Sequence, residues 1–309
     1  MQSGLVTDDG VRTAPNRQDE ISVVGLVATR DRPADLARLL MCLTGMRPAP
    51  GLRYSLVVVD NSVNRTAEAV VAEAQLPFDT RYVHEPRPGL SRARNAGLTV
   101  AETDYVATLD DDIIVPPDYL VQLEQALRAH PDAGVIGGRV ELFNPDDYPI
   151  SIRTGDLPEH YSGGTNIFGF IPGCCQVIHR DALREAGAYD TRLGAGAPTG
   201  AAEDDDMVYR IWKKGYAAVY APELVVFHNH GRKATDAERL QRNYMKGNGA
   251  FLAKHMLRAD ANAFAQFRQL IPWCFKAILT RGEKAKYAGK YLRFTSIGAL
   301  QFVFSILRR

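Results

Sequence analysis

Four apolar runs in the first 130 residues each end in polar residues, and each leads into a segment of helical period. "ISVVGLVATR" (21–30) closes on Thr29 and Arg30 and is followed by "RPADLARLLMCL", where apolar positions recur every three or four residues behind a proline near the start. In the same way "YSLVVVDNS" precedes "NRTAEAVVAEA", "TRYVHE" precedes "GLSRARNAGLTVA", and "DYVATLDDD" precedes "PPDYLVQLEQALRAH". Strands alternating with helices of this length predict a parallel sheet with right-handed crossovers. Ligands of such sheets gather outside the carboxyl ends of the strands. Thr29, Arg30, Asp60, Asn61 and the trio Asp110, Asp111 and Asp112 are therefore expected to share one cleft.

Beyond His130 the pattern changes. "GVIGGRVEL" predicts another strand, and residues 144–168, rich in Pro, Gly and Asp, predict a long loop. "FGFIPGCCQVIHRDAL" reads as a strand running into a short helix, and "GAGAPTG" as a flexible link. "AEDDDMVYRIWKKG" predicts an amphipathic helix with its acids in the first turn, where the helix dipole favours them. "AAVYAPELVVFHNHG" predicts two short strands, and from Ala234 onward the chain reads as helix.

Composition alters this picture little: 46% hydrophobic and 24% charged residues describe an ordinary globular chain of 309 residues. A net charge of +1 argues against nucleic acid as a partner held by bulk charge. The charge is unevenly placed. Lys276–Arg309 holds eight Lys/Arg and one Glu, a net +7, which leaves −6 for the remainder. A basic, apolar tail on an acidic body suggests a membrane surface, an anionic partner or a homo-oligomer contact. The four cysteines show no CxxC spacing, which predicts a reducing compartment and no structural zinc. The polar stretch 1–19 has no apolar run, so it is expected to be disordered and is not read as a signal peptide. With no run of about 18 apolar residues to span a bilayer, the expected location is the cytoplasm, including the inner face of the membrane.

Carboxylates at a strand end suit a hard divalent cation, Mg²⁺ or Mn²⁺. Alternation along an extended chain puts Asp110 and Asp112 on one face and Asp111 on the other. Arg92 and Arg94 stand in the first turns of the helix after Gly89, where anions are favoured. Glu203, Asp204, Asp205 and Asp206 exceed what capping a helix needs, so one of them is a candidate general base. His228 and His230 flank Asn229 before Gly231, Arg232 and Lys233, a ligand followed by an anion-binding loop, and imidazole favours Mn²⁺ somewhat. "GAGAPTG" has the wrong glycine spacing for a dinucleotide fingerprint and follows no strand.

Taken in order, "VVGLVATRDRPADLARLL", "VVVDNS", "GLSRARNAGL", "YVATLDDDIIVPPDYL", "GAYDTRLGAG", "EDDDMVYRIWKKGY" and "VVFHNHG" resemble an inverting family-two glycosyltransferase of the GT-A fold. The resemblance covers roughly residues 21–232. It implies an α/β fold, a Rossmann-like, mostly parallel sheet flanked by helices, with 20–115 as nucleotide-binding half, 116–232 as acceptor-binding half and 233–309 as a C-terminal helical extension. It implies that Thr29, Arg30 and Asp60 hold the nucleoside, that Arg94 lies near the diphosphate or the base, and that Asp110 and Asp112 bind the metal with Asp111 on ribose or sugar. His228 would complete the metal site, Arg232 would grasp phosphate, and Asp204 beside Glu203 would be the base. The run of aspartates leaves Asp205 open as the base, and either histidine open as the ligand. The donor would be a nucleotide-diphosphate sugar, UDP being the commonest choice, and the acceptor a hydroxyl of a glycan, a lipid-linked or a small molecule. QxxRW, the mark of processive synthases, is absent, so transfer of one or a few sugars is expected. A nucleotidyltransferase would need a glycine-rich loop after the first strand, which "ATRDRPADL" lacks, and a catalytically inactive binding module would need a defective acid set.

Overall fold

A computed structural model describes residues 20–280 and 282–307; the reading of 1–19 lies outside them. The first half follows the expected alternation: β1 (Ile21–Thr29), α1 (Pro33–Thr44), β2 (Leu52–Asp60), α2 (Glu68–Glu73), β3 (Thr80–His84), α3 (Leu90–Leu98), β4 (Tyr105–Asp110), the two-residue β5 (Ile113–Ile114) and α4 (Tyr119–Ala129). There follow β6 (Ala133–Leu142), β7 (Glu159–His160), β8 (Cys175–His179), α5 (Arg180–Ala186), α6 (Glu203–Lys213) and β9 (Ala217–His228). Three helices complete the order: α7 (Ala234–Met256), α8 (Ala261–Leu279) and α9 (Glu283–Leu307).

The strands form one sheet in the order β3-β2-β1-β4-β8-β6-β9-β5, with β7 against β9. Its long pairings, β1 with β2 and β4, β2 with β3, and β6 with β9, are parallel. Alternate residues of β1 point to opposite faces. Val23 and Val27 pack with Leu36, Leu39 and Leu43 of α1 and Leu123 of α4, while Val24 and Leu26 pack with Ala93 of α3. Met207, Val208 and Ile211 of α6 meet Phe251 of α7 in a further core on the second half of the sheet.

Three details differ from the sequence reading. β8 runs antiparallel between β4 and β6, because the segment joining β6 to β8 holds no crossover helix to return the chain parallel. β9 is one strand, not two. The register slips between Gly138 and Arg139, opposite the step from Ala221 to Val225, so Pro222 falls in a bulge where its missing N–H breaks no ladder bond. α2 begins only at Glu68 because the preceding turn is held by side chains: Asp60 accepts from the Ala67 amide (2.8 Å) and the Ser62 hydroxyl accepts from the Thr66 amide (2.9 Å).

α7 and α9 cross backbone to backbone. A Cβ on Gly249 would collide with the Thr295 carbonyl, and one on Gly298 with the Lys246 carbonyl. Neither obstacle is a movable side-chain end. Gly298→Leu is therefore expected to cost about 1–3 kcal/mol or more and to free α9 for proteolysis. Trypsin should cut within 284–293 several-fold faster than in the parent chain; an unchanged digestion rate would count against so tight a crossing.

Candidate active site

β1 lies between β2 and β4, so chain order reverses across it, and this is where open α/β sheets bind ligands. The register sets Thr29 beside Asp60 and Ala28 beside Asp110. Two adjoining chambers open there. The smaller, about 260 Å³, is walled by Thr29, Arg30, Arg32, Asn61 and Asp111 among others. The larger, about 430 Å³, lies against Arg94, Asp204, Asp205, His228 and Tyr244. Asp110 and Arg232 border both.

The three aspartates take different directions. After Asp110 the chain turns through 111 and 112 into β5, which pairs Ile113 with His228 of β9. That pairing brings Asp110, Asp112 and His228 together, with one ligand atom from each within 4.8 Å of the others. Asp111 points instead to Thr29, whose hydroxyl donates to it at 2.7 Å, and to Arg32 at 2.6 Å. Burial pushes the Asp111 carboxyl up to about 7, with Arg32 pulling against it. Burial acts on Asp112 too, but the hydrogen bond and charge of His228 and the charge of Arg32 outweigh it and hold that carboxyl well below the usual range.

His228 bears on whether the group fits a metal. Its Nδ1 faces the Ser151 carbonyl at 3.3 Å, and its Nε2 faces Asp112 Oδ1 at 3.2 Å. A carbonyl only accepts, so Nδ1 carries a hydrogen and donates. Nε2 of a neutral ring then aims a lone pair at a carboxylate oxygen, an arrangement that needs a proton or a cation between the two. Burial disfavours the charged ring, yet the hydrogen bond and charge of Asp112 raise its pKa overall. Two carboxylates and an imidazole so oriented fit Mn²⁺ or Mg²⁺.

The acids opening α6 have four separate environments. Glu203 pairs with buried Arg94 at 3.1 Å, and Arg94 reaches on to Asp110 at 3.3 Å. Burial, with the charge of Asp204 added, pushes Glu203 up to about 7. Asp204 borders the larger chamber, where its oxygens accept from the amides of Gly173 (3.0 Å) and Asp205 (2.9 Å). Burial raises its pKa against the pull of Arg94. Asp205 is more buried, accepts from the Gly169 amide at 2.9 Å, and is driven far up by burial. Asp206 points away from the cleft to Lys254 (2.8 Å), His255 (2.9 Å) and Arg210 (2.8 Å).

Thr29, Arg94, the aspartate trio, Glu203, Asp204, Asp205, His228 and Arg232 thus meet around the cleft. Asp60 does not line it. Its carboxylate is buried and taken up by Ser62 (amide 2.9 Å, hydroxyl 2.5 Å), the Ala67 amide and the Tyr82 hydroxyl. Asn61 faces the chamber in its place and accepts from the Gly89 amide at 2.8 Å. Arg30 is an exposed rim residue beside Asp31. His230 stands behind His228, 3.7 Å from Asp147. The sequence reading passed over Arg32, which meets both Asp111 and Asp112, and Tyr244, whose hydroxyl bonds that of Ser151 on the wall of the larger chamber. No local signal marks either, since their partners lie far along the chain.

A Rossmann-like sheet with an acidic cleft at its switch point and a C-terminal helical extension defines a protein of the GT-A class. The chain belongs to glycosyl transferase family 2, whose family model matches residues 26–187. It is 32% identical over 206 residues to the succinoglycan biosynthesis protein ExoM of Rhizobium meliloti, covering 65% of this chain and 64% of that one. It is 24% identical over 239 residues to a pre-mycofactocin glycosyltransferase of Mycobacterium tuberculosis, covering 72% of this chain and 45% of that protein. In fold it resembles the mannosyltransferase PcManGT of Pyrobaculum calidifontis, solved with GDP-Man and Mn²⁺, at TM-score 0.61 and 18% identity over 95% of this chain and 90% of that one. It also resembles S. aureus TarS 1-349, solved in complex with UDP, at TM-score 0.56 and 15% identity over 91% and 83%.

Proposed function

We propose that this protein is a metal-dependent, inverting, non-processive glycosyltransferase that moves a sugar from a nucleotide-diphosphate donor, UDP-linked by first choice, to an acceptor hydroxyl. The observation that carries this reading is the meeting of Asp110, Asp112 and His228 within 4.8 Å on the border of both chambers. Thr29, Asp111 and Asn61 bind the nucleoside side of the donor in the smaller chamber, with Arg30 at its rim. Asp60 acts from behind the wall by fixing the turn that carries Asn61 and Ser62. Asp110, Asp112 and His228 would hold Mn²⁺ or Mg²⁺, which would supply positive charge to stabilise the departing diphosphate. Arg94, held by Glu203, and Arg232 add cationic hydrogen-bond donors there. Across the larger chamber Asp204 takes the proton from the acceptor hydroxyl. Base and leaving group then lie on opposite sides of the sugar, so direct displacement inverts the anomeric centre. The likeness to ExoM supports an acceptor used in polysaccharide assembly.

Metal removal tests the reading. In a screen of nucleotide sugars with Mn²⁺, chelator is expected to reduce donor hydrolysis and transfer to background, and added Mn²⁺ to restore both. Turnover indifferent to chelator would remove the metal assignment.

A further inference from the structure

Helix α8 buries only small or uncharged side chains. Its buried positions are Ala263, Gln266, Cys274 and Ala277. Its large apolar side chains face outward: Phe264 (46% exposed), Phe267, Ile271, Phe275 (65%) and Ile278 recur every three or four residues, the spacing of a single helical face. Leu279, 80% exposed, extends the strip. A contiguous outward apolar strip marks an interaction site.

Charge indicates what covers it. Residues 261–309 hold nine Lys/Arg and one Glu, a net +8, and Arg268 and Lys276 stand exposed on α8 itself. A second copy would set like charge against like, whereas an anionic surface would be attracted. Trp273 sits 6.1 Å from Tyr287 and 5.9 Å from Tyr291 of α9, and such rings favour the boundary between water and hydrocarbon. No helix among the described residues is long and apolar enough to cross a membrane.

We propose that the outward face of α8 seats this protein in the plane of an anionic lipid bilayer, with its apolar strip in the acyl boundary and its basic residues among the headgroups. The helix is tied to the cleft. Gln266 accepts from the Ile167 amide (3.4 Å) and donates to the Tyr161 hydroxyl (3.3 Å), and Gln269 donates to the Gly164 carbonyl (2.8 Å). That loop continues into Phe168 and Gly169 on the wall of the larger chamber. A seated α8 therefore holds the larger chamber close to the lipid surface.

Lipid binding is measured without donor or acceptor, so it stands or falls apart from the glycosyl-transfer reading. The full chain is floated with vesicles of phosphatidylcholine alone or mixed with phosphatidylglycerol. It is expected to rise only with the mixed vesicles. The triple variant Phe267→Ser, Ile271→Ser, Phe275→Ser should bind them at least about tenfold more weakly, as should Arg268→Glu with Lys276→Glu. The replaced side chains are all exposed, so the thermal transition should match that of the parent and show both variants folded. The proposal is overturned if the parent chain ignores anionic vesicles, or if the triple variant binds them equally well. It is overturned too if the parent is a dimer that the triple variant converts to monomer, which would give the strip to a second copy.

Discussion

Asp204→Asn is expected to lower kcat for sugar transfer by roughly 10²–10⁴-fold, the usual contribution of a general base, while donor affinity stays near that of the parent. The amide keeps the shape of the side chain, and its one oxygen can still accept from the Gly173 amide, though the hydrogen bond from the Asp205 amide is given up. The fold and the chamber wall should persist at a small cost in stability while the basic oxygen is lost. Burial raises the pKa of this carboxyl. The deprotonated base is thus depleted as pH falls through that raised value, and the parent's activity should drop earlier on the acid side than an ordinary aspartate would require. Asp205→Asn provides the contrast. Its carboxylate accepts from the Gly169 amide, so its loss should act through the 167–169 turn and show mainly in stability. An active Asp204→Asn beside an inactive Asp205→Asn would transfer the role of base to Asp205.

The second large effect concerns folding. Asp206→Ala should destabilise the protein by about 3–5 kcal/mol, the cost of breaking a buried ion pair, and lower Tm by on the order of 10 °C. Asp206 is fully buried and is the shared partner of Lys254, His255 and Arg210. Removing it strands Lys254, itself buried, with Asp190 at 2.9 Å as its remaining carboxylate. The carboxyls of Asp206 and Asp190 are both held below their ordinary values: burial opposes this, but His255 and Arg192 respectively lead the hydrogen bonds that overcome it. A depressed carboxyl stabilises fully above its unfolded pKa of about 4 and loses that contribution as pH falls towards the folded value. The parent should therefore soften below about pH 4, and Asp206→Ala should show a flatter acid profile. A variant melting within a degree or two of the parent would show that the cluster carries little stability.

The first half of the fold was legible because a strand followed by a helix is written in adjacent residues. β1 to α4 are local patterns, and their order places the ends of β1, β2 and β4 together. The direction of β8 was not legible, since it depends on a loop with no periodicity. The acids of α6 read as one set in the sequence. The helix separates them, because successive side chains turn by about 100°, and so Glu203 meets Arg94 while Asp206 meets Lys254. Arg32 was missed because its partners lie 79 and 80 positions away. Asp60 had a signal that went unused: an Asp two residues before Ser, ahead of a turn, commonly spends its carboxylate on the local backbone.

The crossing of α7 with α9 has a consequence for the order in which the molecule can be completed during synthesis. Phe302 of α9 is buried with Leu193 and Ala250, and the Arg192 guanidinium lies 4.4 Å from its ring. The same loop continues to Ala195, which accepts from the Leu90 amide at the start of α3 and borders both chambers. One wall of the cleft therefore leans on a side chain more than a hundred positions later in the chain. Strands and helices up to β9 can assemble as they leave the ribosome, but that wall has no support until Phe302 has emerged. A nascent chain still short of α9 would hold every residue of the metal group and the base, and yet have an unfinished site.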